Sequence, residues 1–131
     1  MILLLLCGIA FGFKAGDQHF WGRHGEARRA EVSREMVASG NWVVPHLNGE
    51  PFVTKPPLYY WAAAAAFTLT GKFDEFSARL PSLIAGTLGV IVTYFWAGLI
   101  FSRRAGLFAG IILATSFLYN GMARSAEVDM M

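Results

Sequence analysis

The chain has 131 residues, of which 55% are hydrophobic and 15% charged, and its formal net charge is +2. This composition is oilier and less charged than that of a usual soluble domain, and so short a chain could not cover several long apolar runs with polar surface. The small charge, without a basic stripe, gives no reason to expect a nucleic-acid partner. The single cysteine, Cys7, can form no intrachain disulfide. These observations predict an all-α polytopic membrane protein.

The first apolar run, residues 1–13, carries no charge. A signal peptide would have a basic residue near its start and a small-x-small cleavage site, and the run has neither. We therefore interpret it as a transmembrane helix, although 13 residues of helix measure only about 20 Å.

A polar outer loop, residues 14–79, follows and holds most of the ionisable side chains. Within it, residues 26–39 predict a helix that ends at Gly40 and lies on the membrane surface, with a solvated linker helix as the alternative. Asn48-Gly49 predicts a tight turn between extended runs at 42–44 and 52–54. Pro56-Pro57 restricts the backbone of the residue before it, so Lys55 lies on a stiff, extended segment.

Residues 58–71 predict a second helix of the outer loop. Fourteen residues give about 21 Å of helix, too short for a hydrocarbon core of about 30 Å. Tyr59, Tyr60 and Trp61 stand at its start, as aromatic residues do at a membrane interface. We interpret this run as a helix lying in, or dipping into, the interface.

Two further apolar runs predict membrane crossings at residues 80–101 and 105–122, since about 20 apolar residues suffice to span. Arg103 and Arg104 separate them and are expected on the cytoplasmic side. That orientation puts residues 24–57 and the start of a second outer loop, 123–131, together on the outer face. No Asp, Glu, Lys, Arg or His lies within the apolar runs, which disfavours a channel or transporter.

The order of motifs from Trp21 onward resembles the lipid-linked sugar transferases with the C-type glycosyltransferase membrane fold. The nearest group is the bacterial aminoarabinose (lipid A) transferases, which are related to protein O-mannosyltransferases. The matching motifs are Glu26, Arg28 (or Arg29), Ala30-Glu31, Glu35-Met36, Gly40, Trp42, the run 44–49, the run 55–58, the run 79–82, and Ala123-Arg124 with Asp129.

The resemblance implies transfer of a sugar from a polyprenyl-phosphate carrier to a lipid or protein acceptor at the outer face of the bacterial inner membrane. Such a reaction needs a base for the acceptor hydroxyl and positive charge for the leaving phosphate. Glu26 is the candidate base and Asp129 the second acid, while Lys55 would bind the carrier phosphate. The other candidate substrate-binding residues are Arg28, Glu31, Tyr59 and Arg79.

Each assignment has a structural alternative. Glu26 could be a carboxylate stabilised by a helix terminus, and Lys55 a cation that extends to the interface. His24 and His46, with Glu31 or Glu35, are open candidates for a divalent metal, although no ligand spacing supports them.

The sequence departs from the family pattern at Gly25, where the family has an aspartate proposed as the catalytic group. Either Glu26 takes over that role, or the chain is a non-catalytic membrane or assembly protein that keeps the fold. Because family members have about ten or more spans, we expect the chain to be the N-terminal part of a longer protein and inactive alone.

Overall fold

The computed structural model describes residues 2–12 and 24–126. Its elements, in chain order, are α1 (Ile2–Gly12), α2 (His24–Ser39), β1 (His46–Leu47), β2 (Glu50–Pro51), α3 (Leu58–Thr70), α4 (Glu75–Ile100), α5 (Arg103–Thr115) and α6 (Phe117–Ala123). The predicted helical class is therefore confirmed, with one small hairpin in the part of the chain described.

Two apolar clusters organise these helices. The first joins α2 and α3 to the start of α4 and contains Val32, Met36, Tyr60 and Phe67. The second joins α1 to α4, α5 and α6 around Cys7, Phe11 and Val90. Helix α4 runs through both clusters, so it connects α2 and α3, the helices of the polar outer loop (the polar segment), to the apolar helices α1, α5 and α6.

Helix α2 ends where the sequence predicts. Gly40 has φ +68°, and its N–H donates to Met36 O at 3.0 Å, as expected for a left-handed residue that closes a helix. Val32 and Met36, four residues apart on one face of the helix, are both buried against α3. Burial of this face fixes the polar helix to the rest of the molecule.

The Asn48-Gly49 turn is present, but its strands lie closer to it than predicted. Asn48 and Gly49 both have positive φ, 55° and 80°, as a two-residue type I′ hairpin requires. The strands pair His46 with Pro51 and Leu47 with Glu50. The paired strands lie between the predicted extended runs at 42–44 and 52–54, because a two-residue turn pairs the residues directly beside it.

Helix α3 ends at Gly71, which has φ +67° and donates its N–H to Phe67 O at 2.9 Å. This agrees with the predicted run 58–71. The helix packs between α2 and α4, and Tyr59, Tyr60 and Phe67 are buried. Its position relative to a membrane interface stays a prediction.

Helix α4 begins five residues before the predicted start at 80. The Asp74 side chain accepts a hydrogen bond from Ser77 N at 2.8 Å and so caps the helix. Pro81 lies inside the helix, and the residues before it, including the buried Arg79, are helical as well. The start at 80 is wrong because a helix begins at its cap and not where the charged residues end.

The predicted crossing at 105–122 is wrong as one continuous helix. It starts earlier, with Ser102 as its cap, and is divided at Ser116 into α5 and α6, which are bent by 68°. Asn120 Nδ2 donates to Ala10 O at 3.3 Å and to Ala114 O at 3.5 Å. These bonds give the Ala114 carbonyl at the break and the Ala10 carbonyl on α1 a hydrogen-bond donor. In an apolar environment every backbone polar group needs such a partner.

Among the described helices, only Glu75–Ile100 is long and apolar enough on its own to cross a membrane. The bent pair α5–α6 passes the same test as a unit, and Ile2–Gly12 is apolar but shorter. Within the candidate span only 17% of the most apolar window is buried. The span thus presents most of its apolar surface outward, unlike the core helix of a soluble protein.

Candidate functional site

Glu26 and Arg79 form a buried ion pair between the first turn of α2 and the second turn of α4. Arg79 Nε donates to Glu26 Oε1 at 2.8 Å, and Arg79 Nη2 donates to Glu26 Oε2 at 3.3 Å. The two residues are 5% and 3% exposed. The bidentate geometry fixes both side chains, because the planar guanidinium matches a carboxylate in only a few orientations.

The chain after α6 closes onto the same pair. Ala126 N donates to Glu26 Oε1 at 2.7 Å, and Ala126 O accepts from Arg29 Nη1 at 2.8 Å. Ala126 itself is fully buried. We call Glu26, Arg29, Arg79 and Ala126 the clasp, since it joins the start of the polar segment to the end of the helical bundle.

Gly25 lies directly beneath Arg29. A Cβ atom at position 25 would stand 3.2 Å from Arg29 Nη2 and 3.4 Å from Arg29 Cζ. The guanidinium thus occupies the space that a longer side chain at position 25 would enter. The departure from the family pattern at Gly25 is therefore linked to the placement of Arg29.

Tyr60 contributes a buried hydroxyl beside this cluster. Within the described part of the chain the hydroxyl has no hydrogen-bond partner, and the side chain is fully buried. Burial raises the pKa of the Tyr60 hydroxyl, and the positive charge of Arg29 opposes that shift. Tyr59 is also fully buried, and its hydroxyl donates to Ala78 O at 2.9 Å. Tyr59 thus packs α3 onto α4, and its predicted contact with substrate stays a prediction.

Lys55 lies in the bend before α3 and is exposed. Among the described residues, no hydrogen bond or ion pair joins it to the clasp. The hairpin upstream of it is anchored on α2, because Glu35 accepts from Asn48 N at 2.6 Å and from Gly49 N at 3.3 Å. Trp61 Nε1 donates to Trp42 O at 2.6 Å on the other side of the loop. The segment that carries Lys55 is therefore held at both ends.

Arg28 and Glu31 face outward from α2 and lie outside the clasp. The Arg28 guanidinium stands 6.0 Å from the centre of the Phe52 ring. Glu31 accepts from Arg34 Nε at 3.0 Å. The hydrogen bond from Arg34 lowers the pKa of the Glu31 carboxyl.

Several predicted features fall outside the described residues: Asp129, the side chain of His24, and residues 14–23 of the outer loop. Within the described part, no three His, Cys, Asp or Glu side chains gather as metal ligands. The His46 ring lies against Val44 O, with Nδ1 at 2.8 Å. A metal role for His46 with Glu31 or Glu35 thus has no geometric support.

The structure brings together Glu26 and Arg79, which the sequence assigned to separate roles. It adds Arg29 and Ala126, which sequence reasoning missed. Arg29 stood in the motif only as an alternative to Arg28, and the backbone groups of Ala126 carry no signal in a sequence. Helical spacing could have found Arg29, since Gly25, Glu26 and Arg29 share one face at three- and four-residue intervals.

The fold matches a solved membrane glycosyltransferase. The crystal structure of ArnT from Cupriavidus metallidurans bound to undecaprenyl phosphate superposes with a TM-score of 0.86 at 32% sequence identity, over 98% of this chain and 23% of that chain. The apo structure of the same protein gives the same values. The helices and hairpin described above therefore have the arrangement found in that class of enzyme.

The model of the dolichyl-phosphate-mannose-protein mannosyltransferase family matches residues 54–131. The chain belongs to this family, which confirms the resemblance drawn from the motifs.

Curated relatives carry the name undecaprenyl phosphate-alpha-4-amino-4-deoxy-L-arabinose arabinosyl transferase. The protein from Pseudomonas savastanoi pv. phaseolicola is 39% identical over 105 residues, which are 79% of this chain and 20% of that protein. The protein from Pectobacterium carotovorum subsp. carotovorum is 31% identical over 131 residues, which are 99% of this chain and 23% of that protein. The chain thus spans about a fifth to a quarter of the length of these relatives.

Proposed function

We propose that the chain provides part of the donor and acceptor site of a glycosyltransferase that moves a sugar from a polyprenyl-phosphate carrier to a lipid or protein acceptor. The reaction would take place at the outer face of the bacterial inner membrane, in a multi-pass protein. The family, the relatives named for undecaprenyl-phosphate aminoarabinose and the ArnT complex with undecaprenyl phosphate support this proposal.

The observation that carries it is the clasp, because it joins the polar segment to the chain after α6 on one side of the apolar helices. Arg79 lies near the N-terminal end of α4. The 26 residues of α4 make a helix about 39 Å long, and Arg103 and Arg104 follow its C-terminal end. The two arginines also stand in the first turn of α5, where the helix dipole disfavours cations. Their placement fits retention on the cytoplasmic side, which leaves the clasp on the outer side.

In this proposal Lys55 binds the carrier phosphate, because it is exposed and held on an anchored loop. Glu26 and Asp129 are the acidic residues of the site. Arg28 and Glu31 stay candidates for substrate contacts on the outer face of α2. Arg79 contributes indirectly, by holding the Glu26 carboxylate in place.

The test is a transfer assay in membranes that contain the protein expressed from its complete reading frame. Polyprenyl-phosphate donors carrying aminoarabinose or mannose are offered with lipid A and a peptide acceptor, and products are measured by mass spectrometry. We expect transfer with one donor, and a fall of about 10²-fold or more in Asp129→Asn, as for loss of an acid–base group.

A second candidate function is that of a non-catalytic membrane or assembly protein that keeps the fold. Gly25 favours it, since the family's acidic group is absent there and Arg29 fills the space. Absence of transfer with every donor, in a protein that still binds undecaprenyl phosphate, would favour this second function over the first.

A further inference from the structure

We infer that Glu26 is a positioning residue that fixes the chain at Ala126, and that it is not the proton acceptor of the transfer reaction. The catalytic part of this inference rests on the proposed function. The positioning part rests on the clasp alone and can be tested without any activity.

The Glu26 carboxylate is enclosed, and its Oε1 atom is held by two donors. Its Oε1 accepts from both Arg79 Nε and Ala126 N, at 2.8 and 2.7 Å, and its Oε2 accepts from Arg79 Nη2 at 3.3 Å. Only 5% of the residue is exposed. A general base must come within about 2.6–3.2 Å of the proton that it takes, and the groups around Glu26 already occupy that distance.

The same contacts hold Ala126 at two points. Its N–H is bound by Glu26 and its carbonyl by Arg29, so both polar groups of one residue are fixed by side chains of α2. Two such bonds set the direction in which the chain leaves Ala126.

Gly25 leaves room for the second of these bonds, from Arg29 to the Ala126 carbonyl. The Arg29 guanidinium passes over the Gly25 Cα, with 3.2 Å between Nη2 and the position that a Cβ would take. A carboxylate at position 25 would compete with the Ala126 carbonyl for Arg29. In this chain the Arg29 guanidinium thus occupies the space of the family's acidic side chain and holds the Ala126 carbonyl.

The experiment is hydrogen–deuterium exchange of the protein in lipid nanodiscs, followed at the Ala126 amide in overlapping peptides. Glu26→Ala should speed exchange there by about 10-fold or more, since a buried hydrogen bond protects an amide until it opens. Glu26→Gln should give a smaller increase, because an amide oxygen can still accept from Ala126 N but the amide nitrogen cannot accept from Arg79. Gly25→Asp and Arg29→Gln should each raise exchange through loss of the carbonyl contact.

The matched control is Glu31→Gln, the same chemical change on the same helix in an exposed ion pair, which should leave exchange at Ala126 as in the wild type. Exchange in α5 reports whether a variant is folded. If Glu26→Ala does not fold, Glu26→Gln and Arg29→Gln decide the result. Unchanged exchange at Ala126 in the folded variants would overturn the inference.

The transfer assay then separates positioning from catalysis. We expect residual transfer in Glu26→Gln to keep the pH profile of the wild type. A higher concentration of donor or acceptor should not restore slow exchange at the Ala126 amide. A large fall in transfer in Glu26→Gln, with a residual rate that lacks the acid limb of the wild-type pH profile, at unchanged exchange, would make Glu26 the base and contradict us. If the wild type transfers nothing, the proposed function fails while the exchange data still decide the clasp.

Discussion

The Arg79 guanidinium is the buried charge on which the clasp depends, and its removal leaves the Glu26 carboxylate without its principal partner. Breaking a buried ion pair from one side typically costs about 3–5 kcal/mol, because the remaining charge is uncompensated. We expect Arg79→Ala to lower the free energy of unfolding by about that amount. Unfolding in mixed detergent micelles with increasing dodecyl sulfate would measure it.

Arg34→Ala is the matched control for this prediction. Arg34 pairs with Glu31 on the surface, where the two side chains are 49% and 36% exposed, and such pairs contribute about 0–1 kcal/mol. An equal loss of stability in the two variants would mean that the clasp contributes no more than a surface pair.

Lys55 has the opposite environment, exposed and held by an anchored loop. If it binds the carrier phosphate, Lys55→Ala loses a charge-assisted contact of about 1.5–3 kcal/mol, which is about a 10- to 150-fold fall in kcat/KM for the donor lipid. Lys55→Arg should restore only part, because a planar fork does not replace a point charge.

Lys72→Ala supplies the comparison for Lys55, as another exposed lysine beside α3. It should leave donor use unchanged. Wild-type turnover in Lys55→Ala at subsaturating donor would remove Lys55 from the site.

Among the elements, the N-terminus of α4 depends on the Asp74 cap. Hydrogen bonds from Ser77 lower the pKa of the Asp74 carboxyl, so the ionised form is favoured in the folded chain. The stabilisation is therefore fully present above the unfolded value of about 3.9 and is lost as the pH falls through the lower folded value.

Asp74→Ala should lower the free energy of unfolding by about 1 kcal/mol at neutral pH, as for loss of a helix cap. Asp74→Asn keeps an acceptor for Ser77 N but does not titrate. Thermal unfolding between pH 7 and 3 should therefore show the wild type losing stability relative to Asp74→Asn only below about pH 4. A constant difference between these two proteins across the range would contradict the assignment.

The elements also show what a sequence can predict. Gly40 and Gly71 ended their helices where expected, because a left-handed terminal residue is a local requirement that the glycine satisfies by itself. The start of α4 was misplaced although Asp74 and Ser77 formed a cap signal, since charge was taken as the boundary. The break at Ser116 has neither a proline nor a glycine at that position. Asn120 bonds Ala114 O there and α6 contacts α4 and α1, and no local pattern records these contacts.

The candidate site was likewise predictable only in part. Glu26, Arg79 and Lys55 were found through motifs, but the pairing of Glu26 with Arg79 spans 53 residues and depends on how α2 and α4 pack. The backbone of Ala126 has no side-chain signature at all.

For the whole molecule, the clasp and the Arg103-Arg104 turn at opposite ends of α4 predict opposite sides of the membrane. In a Cys7→Ser background, cysteines at the exposed positions Glu50 and Ser102 report the two sides. An impermeant maleimide should label Glu50→Cys in intact spheroplasts and Ser102→Cys only after permeabilisation. The reverse pattern would invert the topology and place the clasp in the cytoplasm.

The distance between Glu26 and Ala126 along the chain, 100 residues, gives the clasp a place in biogenesis. At a synthesis rate of about 5–20 residues per second, Ala126 is made roughly 5–20 s after Glu26. Until then the Glu26 carboxylate lacks its amide donor, whatever else has inserted. Only a chain in which α5 and α6 have returned to the side of α2 can complete the contact. In a chain inserted with α4 or the α5–α6 pair inverted, the Glu26 carboxylate and the Ala126 amide stay unpaired. Quality-control proteases would then meet a local defect that reports a wrong topology of the whole chain.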